Sequence, residues 1–183
     1  MRRAEKICAM LGLIGMAMIA LNIAGGGFTA LIAVSVLAVV YYFSPLLLNG
    51  IRLRNIFKKD AFKEVPAVAF IAAFFAGMGL CSVLLGSLFK LQLWPHGTGL
   101  IGVGLLLIAV SSAACYGISQ RYQIGLFAHL IRRAAPVAAI GMLFYLTPTD
   151  TLIDIRYRNA EEAASAKETY QNRSNERPWF GDD

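Results

Sequence analysis

The chain has 183 residues, of which 57% are hydrophobic and only 15% are charged. An ordinary soluble domain carries roughly 25% charged residues, so this composition excludes that class and indicates an all-α, polytopic membrane protein surrounded by a lipid bilayer. The net charge of +6 does not indicate a nucleic-acid partner, because most basic residues lie in short loops beside apolar segments, where they orient a membrane protein and contact anionic headgroups.

Five apolar segments predict about five transmembrane helices within residues 1–150. Crossing roughly 30 Å of hydrocarbon requires about 20 apolar residues. The segments are residues 7–24, 28–48, 65–89, 99–118 and 134–146. Residues 151–183 are expected to form a polar C-terminal tail, in which Asn159 and Glu162 resemble a capping box and predict a short helix over 160–170.

The first two segments predict a helical hairpin. Basic residues precede the first segment, as in a signal peptide, but another apolar segment follows without a convincing cleavage site, so we expect an uncleaved helix. Gly25, Gly26 and Gly27 predict a tight turn, because glycine accepts backbone angles that other residues avoid and disfavours helix. Pro45 is expected to kink the end of the second helix.

The loop of residues 49–64 carries the strongest orientation signal. Its five basic residues outnumber Asp60 and Glu64, and the positive-inside rule places such a loop in the cytoplasm. The five, which we expect to act as interfacial anchors, are Arg52, Arg54, Lys58, Lys59 and Lys63. Apolar residues alternate with these cations, which predicts a short interfacial helix on the inner leaflet. A docking surface for a partner protein is the alternative.

The third and fourth segments predict a second hairpin, with Lys90 and Trp94 as interfacial anchors at its turn. We expect Lys90 to extend its ammonium group to the headgroups rather than to be buried. Trp94 suits the membrane interface, and Pro95 and Gly97 end the helix.

The fifth segment is the hardest to place, because residues 134–146 provide only 13 residues for a crossing. Arg121, Arg132 and Arg133 place the loop before it in the cytoplasm. We therefore expect a multi-pass protein of the bacterial inner (cytoplasmic) membrane, with its N-terminus in the cytoplasm, five crossings and a periplasmic tail. The alternative has four crossings, a re-entrant fifth segment and a cytoplasmic tail.

Small residues recur at steps of four in the third and fourth segments. Such stripes allow membrane helices to approach closely. The predicted helix-packing residues are Ala69, Ala73, Gly77 and Cys81 in the third segment and Ala109, Ala113 and Gly117 in the fourth. We expect them to pack the hairpin within the chain, and the alternative is self-association or docking to another subunit. Residue identities between the two hairpins are too sparse to predict an internal repeat.

Residues typical of catalysis or cofactor binding do not form a recognisable site. Segments one to four contain no ionisable Asp, Glu, Lys, Arg or His at mid-depth, where a membrane enzyme or ion carrier normally has one. His96 and His129 are expected on opposite faces of the membrane, and a zinc site needs three or four ligands. Cys8, Cys81 and Cys115 lie in apolar segments and are interpreted as small hydrophobes. We therefore expect no metal, no cofactor and no enzymatic activity.

The second hairpin carries a resemblance to a known family. Gly86–Lys90 reads Gly-Ser-Leu-Phe-Lys, and Leu93–Gly97 reads Leu-Trp-Pro-His-Gly before a glycine-rich segment. Residues from about 77 to 116 resemble the membrane hairpin of GldL, the inner-membrane motor protein of gliding and type IX secretion in Bacteroidota, and a broader set of small Bacteroidota membrane proteins. GldL-like motors carry an intramembrane glutamate, whereas the matching position here is near Ser112 with no carboxylate nearby. The resemblance implies a shared hairpin and host group, without the motor activity.

Three functions are compatible with these features. The first is a non-enzymatic membrane subunit or scaffold that packs against other membrane proteins through its small-residue faces. The second is a small transporter or channel for a neutral or apolar solute, with a cavity lined by residues such as Asn22, Ser82 and Ser112. The third is a lipid-modifying enzyme that uses His96 or Asp150. We expect the first, with other membrane protein subunits as partners.

Overall fold

A computed structural model describes residues 2–21, 23–43, 46, 66–122, 125–157 and 159–175, and in these residues every regular element is an α-helix. The described helices are α1 (Arg2–Ala20), α2 (Gly26–Tyr42), α3 (Ala67–Leu91), α4 (Gly97–Tyr122), α5 (Leu126–Leu146), α6 (Thr149–Arg156) and α7 (Ala160–Asn175). The predicted all-α class is confirmed. The expected interfacial helix of 49–64 and the kink at Pro45 lie outside the described residues.

Three of the helices, α3, α4 and α5, are long and apolar enough to cross a membrane. The apolar part of α1, Ile7–Ile19, and α2 are shorter apolar helices. At about 1.5 Å per residue, α3 has a length of roughly 37 Å, which exceeds the hydrocarbon thickness. The composition, the helical class and these lengths together give a helical membrane protein.

The fifth helix begins eight residues earlier than expected, at Leu126, and is 21 residues long. Arg132, Arg133 and His129, which are expected in a loop, all lie within α5. Arginine has a high helix propensity and an aliphatic side-chain stem. The two arginines therefore interrupt the apolar segment without interrupting the helix. The longer α5 favours a full crossing over the re-entrant alternative.

The α3–α4 hairpin is held by glycines that bring the two backbones into direct contact. A β-carbon added at Gly86 would lie 2.8 Å from the Ile101 nitrogen, and one added at Gly104 would lie 2.7 Å from the Val83 nitrogen. Seven residues separate Gly79 from Gly86 and Gly97 from Gly104. Since seven residues make about two helical turns, each pair lies on one face of its helix.

The two hairpins, α1–α2 and α3–α4, have the same turn geometry at a constant offset of 71 residues. The Ile23 nitrogen donates to the Met18 oxygen at 2.8 Å, and 71 residues later the Trp94 nitrogen donates to the Phe89 oxygen at 2.8 Å. The same offset relates the bond from Thr29 to Gly25 to the bond from Leu100 to His96, and the bond from Leu21 to Ala17 to the bond from Gln92 to Leu88. The structure therefore contains a repeat that the residue identities did not predict.

Helix α3 occupies the centre of the bundle and packs against α2, α4 and α5. The Cys81 thiol donates to the Ala38 oxygen in α2 at 2.8 Å. On another side, a β-carbon at Gly141 of α5 would overlap the Val83 side chain.

Helices α6 and α7 form the tail and are joined by an ion pair of 2.7 Å between Asp154 and Lys167. The predicted tail helix is confirmed and extends to Asn175.

Candidate functional site

The small-residue stripe of α3 lies in the interior of the bundle. Ala69, Ala73 and Gly77 are buried, and Cys81 is partly buried. The hydrogen bond from Cys81 to Ala38 directs that end of the stripe toward α2 rather than toward the hairpin partner α4.

The stripe of α4 lies on the outside of the bundle, so the expectation that it packs the hairpin is wrong. Ala109, Ala113 and Gly117 are all exposed, and a β-carbon at Gly117 would meet no atom within 4 Å. The buried face of α4 is instead formed by Gly97, Ile101, Gly104, Ile108, Ser111, Cys115 and Ile118. Residues spaced four apart move gradually around a helix. The seven-residue spacing of Gly97, Gly104 and Ser111 instead marks the buried face of α4.

The predicted interfacial anchors have different outcomes. Trp94 is 43% exposed, and its ring packs on Phe89 with centroids 5.0 Å apart. Helix α3 ends in a Schellman motif, with Leu93 in the left-handed region at φ 58°, and the Phe89–Trp94 contact is the hydrophobic contact that accompanies such a motif. The five basic residues of the 49–64 loop, Arg52, Arg54, Lys58, Lys59 and Lys63, lie outside the described residues.

Lys90 is buried, contrary to expectation, with 3% of its surface exposed. Its ammonium group donates to the Phe144 oxygen in the last turn of α5, with Nζ and O 2.6 Å apart. The residue four positions after Phe144 is Pro148, which has no N–H to offer that carbonyl. Lys90 supplies the missing donor, and the helix-end dipoles of α3 and α5 favour a cation there.

Arg156 repeats this arrangement at the end of α3, a role that no pattern in the sequence predicts. Its Nη1 donates to the Leu91 oxygen at 3.3 Å. Leu91 stands four residues before Pro95, so its carbonyl also has no backbone donor from a continuing helix. A carbonyl four residues before a proline at a helix end is the signal that could have identified both acceptors. The sequence does not reveal which distant cation reaches each of them.

Two grooves meet at Arg156. The larger, of about 410 Å³, lies between the end of α3 and the tail helix α7. Its lining consists of Gln92, Leu93, Arg156, Tyr157, Glu162, Ser165, Ala166, Thr169, Tyr170 and Arg173. The smaller, of about 230 Å³, is lined by Ile19, Ile23, Gly27, Gln92, Trp94 and Arg156. Gln92 Nε2 also donates to the Gly27 oxygen at 3.4 Å, which connects the turns of the two hairpins.

Residues named for the other two functions do not come together in one described site. Ser82 and Ser112 are partly buried on different helices, and the side chain of Asn22 lies outside the described residues. His96 is the left-handed residue before α4, while Asp150 is exposed in the first turn of α6. Among the described residues no group of three or more His, Cys, Asp or Glu side chains could hold a metal ion.

Comparison with protein-family models, curated proteins and solved structures gives no match to this chain. The resemblance of residues 77–116 to the GldL hairpin therefore stays a prediction.

Proposed function

We propose that this membrane protein is a non-enzymatic subunit or scaffold of the bacterial inner membrane, which packs against other membrane proteins. The proposal includes a cytoplasmic N-terminus and a periplasmic tail, as the charge distribution predicts. It is also compatible with the resemblance of residues 77–116 to the membrane hairpin of GldL.

The observation that supports it is the exposed small-residue face of α4. Ala109, Ala113 and Gly117 lie outside the bundle although α4 is long and apolar enough to be a membrane helix. Lipid chains gain little from small side chains, whereas another helix can approach such a face closely and gain van der Waals contact.

The test is the mass of the complex that the chain forms when it is extracted from its native membrane in mild detergent. We expect a stoichiometric assembly for the natural chain. The double variant Ala109→Leu/Ala113→Leu adds bulk to the exposed face and should release the chain as a detergent-bound monomer, because the added side chains prevent close approach.

The matched control is Ala135→Leu/Ala139→Leu, which makes the same change at the same spacing on exposed positions of α5. It should retain the assembly. A natural chain that is extracted alone, without any stoichiometric partner or second copy, would contradict the proposal.

A further inference from the structure

The described residues provide hydrogen-bond acceptors for only part of the Arg156 guanidinium group. One nitrogen, Nη1, donates to the Leu91 oxygen, and the group lies over the Tyr157 ring with Cζ 5.6 Å from the ring centroid. Its Nε is buried without a hydrogen-bond partner in the described part of the chain. A buried charged donor left without an acceptor is costly, so this position favours a ligand that carries acceptor oxygens.

The larger groove has the chemistry of an anion site. Arg156 and Arg173 provide two cations, and Ser165 provides a hydroxyl group, whereas the Thr169 hydroxyl donates to the Ser165 backbone oxygen at 2.9 Å. Glu162 is the acid in the groove lining, and its Oε1 accepts from Asn159 Nδ2 at 3.3 Å. The two guanidinium groups therefore exceed the one carboxylate by one charge, and the planar guanidinium fork matches phosphate oxygens well.

The smaller groove provides the apolar part of the same site. Ile19, Ile23 and Trp94 line it, and Arg156 and Gln92 border both grooves. Trp94 is partly exposed at the hairpin turn, the level at which tryptophan favours the boundary between headgroups and acyl chains. A ligand that bridges the two grooves thus meets cations on one side of Arg156 and an apolar wall on the other.

We propose that the two grooves form one binding site for an anionic phospholipid, with the phosphate on Arg156 and Arg173 and an acyl chain along Ile19, Ile23 and Trp94. The recognised group is a phosphate, which a lipid headgroup or a free phosphate could offer. The apolar groove selects the lipid. The site would bind lipid at the end of the bundle that holds both hairpin turns and the tail.

The experiment titrates the full chain, purified in detergent, with phosphatidic acid and follows the bound mass by native mass spectrometry. Diacylglycerol with the same acyl chains tests the need for phosphate, and inorganic phosphate tests the need for the chains. We expect one phosphatidic acid per chain. Diacylglycerol should bind at least tenfold more weakly, and inorganic phosphate should not displace the lipid at equal concentration.

Two variants separate the two halves of the site. Arg156→Gln should weaken phosphatidic acid binding at least tenfold, while Arg121→Gln, a matched change at an exposed arginine near the other end of α4, should leave it unchanged. Ile23→Gln keeps the cations and should weaken the lipid severalfold through the apolar groove.

A folded Arg156→Gln chain that binds phosphatidic acid like the natural chain would overturn the proposal. Inorganic phosphate that binds as tightly as the lipid would overturn the assignment to a lipid. If Arg156→Gln fails to fold, Ile23→Gln decides the question, because Ile23 is 48% exposed and takes no part in the bond between Arg156 and Leu91. Unchanged lipid affinity in that variant would then refute the site.

Discussion

Lys90 and Arg156 perform the same structural role at two helix ends. Each donates to a carbonyl four residues before a proline, Phe144 before Pro148 and Leu91 before Pro95. These carbonyls have no backbone donor from a continuing helix. Burying either carbonyl without another donor would therefore cost the free energy of an unmade hydrogen bond. The cations thereby connect α5 to α3 and the tail to the hairpin turn.

Replacing Lys90 with methionine should therefore destabilise the fold even though it removes a buried charge. The Phe144 carbonyl loses its donor, and hydrogen bonds to charged groups contribute about 1.5–3 kcal/mol. The free energy of unfolding, measured by titration with a denaturing detergent in mixed micelles, should fall by that amount. The control Lys167→Met removes the exposed ion pair with Asp154 and should cost no more than about 1 kcal/mol. Equal losses in the two variants would count against this account of Lys90.

At the scale of helices, the hairpins depend on glycines at backbone contacts. The offset of 71 residues pairs Gly15 with Gly86 and Gly26 with Gly97, and all four are buried. A β-carbon at Gly15 would lie 2.5 Å from the Ala30 nitrogen, as one at Gly86 would lie 2.8 Å from the Ile101 nitrogen. What repeats is therefore the close approach of two helix backbones. This approach requires only a few small residues at the contacts, which explains why the other residues differ between the two hairpins.

Gly86→Ala and Gly15→Ala should each lower stability by about 1–3 kcal/mol, the usual cost of overpacking, because the obstructing atoms include backbone nitrogens, which cannot rotate away. Gly99→Ala is the control, since a β-carbon there meets no atom within 4 Å. Alanine favours helix over glycine, so the control should be neutral or slightly stabilising. The same detergent titration measures all three, and a neutral Gly86→Ala would contradict the close approach of α3 and α4.

The sequence predicted the helical class, the two hairpins and the tail helix, because apolar length and glycine or proline turns are local signals. The start of α5 was missed because Arg132 and Arg133 interrupt the apolar segment but not the helix. The packing face of α4 was missed because the step-of-four stripe competed with the seven-residue spacing. The site around Arg156 joins residues from α1, α2, α6 and α7 with residues of both hairpin turns, and no local pattern predicts which distant side chains meet.

At the scale of the whole molecule, the bundle has two distinct ends. The hairpin turns, the end of α5 and the tail lie at one end, because Lys90 contacts Phe144, Arg156 contacts Leu91, and Gln92 contacts Gly27. The α4–α5 connection lies at the other end, where Phe127 donates its backbone N–H to the Ser119 hydroxyl at 3.0 Å. If α5 crosses the membrane, the tail and both turns must face the same compartment.

Cysteine accessibility tests this arrangement. In a chain whose Cys8, Cys81 and Cys115 are replaced with alanine, single cysteines at the exposed positions Ala24, Gly125 and Asn172 report the first turn, the α4–α5 turn and the tail. A membrane-impermeant maleimide added to intact cells should label Ala24→Cys and Asn172→Cys, because the positive-inside rule places those parts outside. Gly125→Cys should react only after lysis, which also controls for the reactivity of all three thiols. Labelling of Gly125→Cys and Asn172→Cys from the same side would mean that α5 does not cross, and the contacts from Lys90 and Arg156 would then need another explanation.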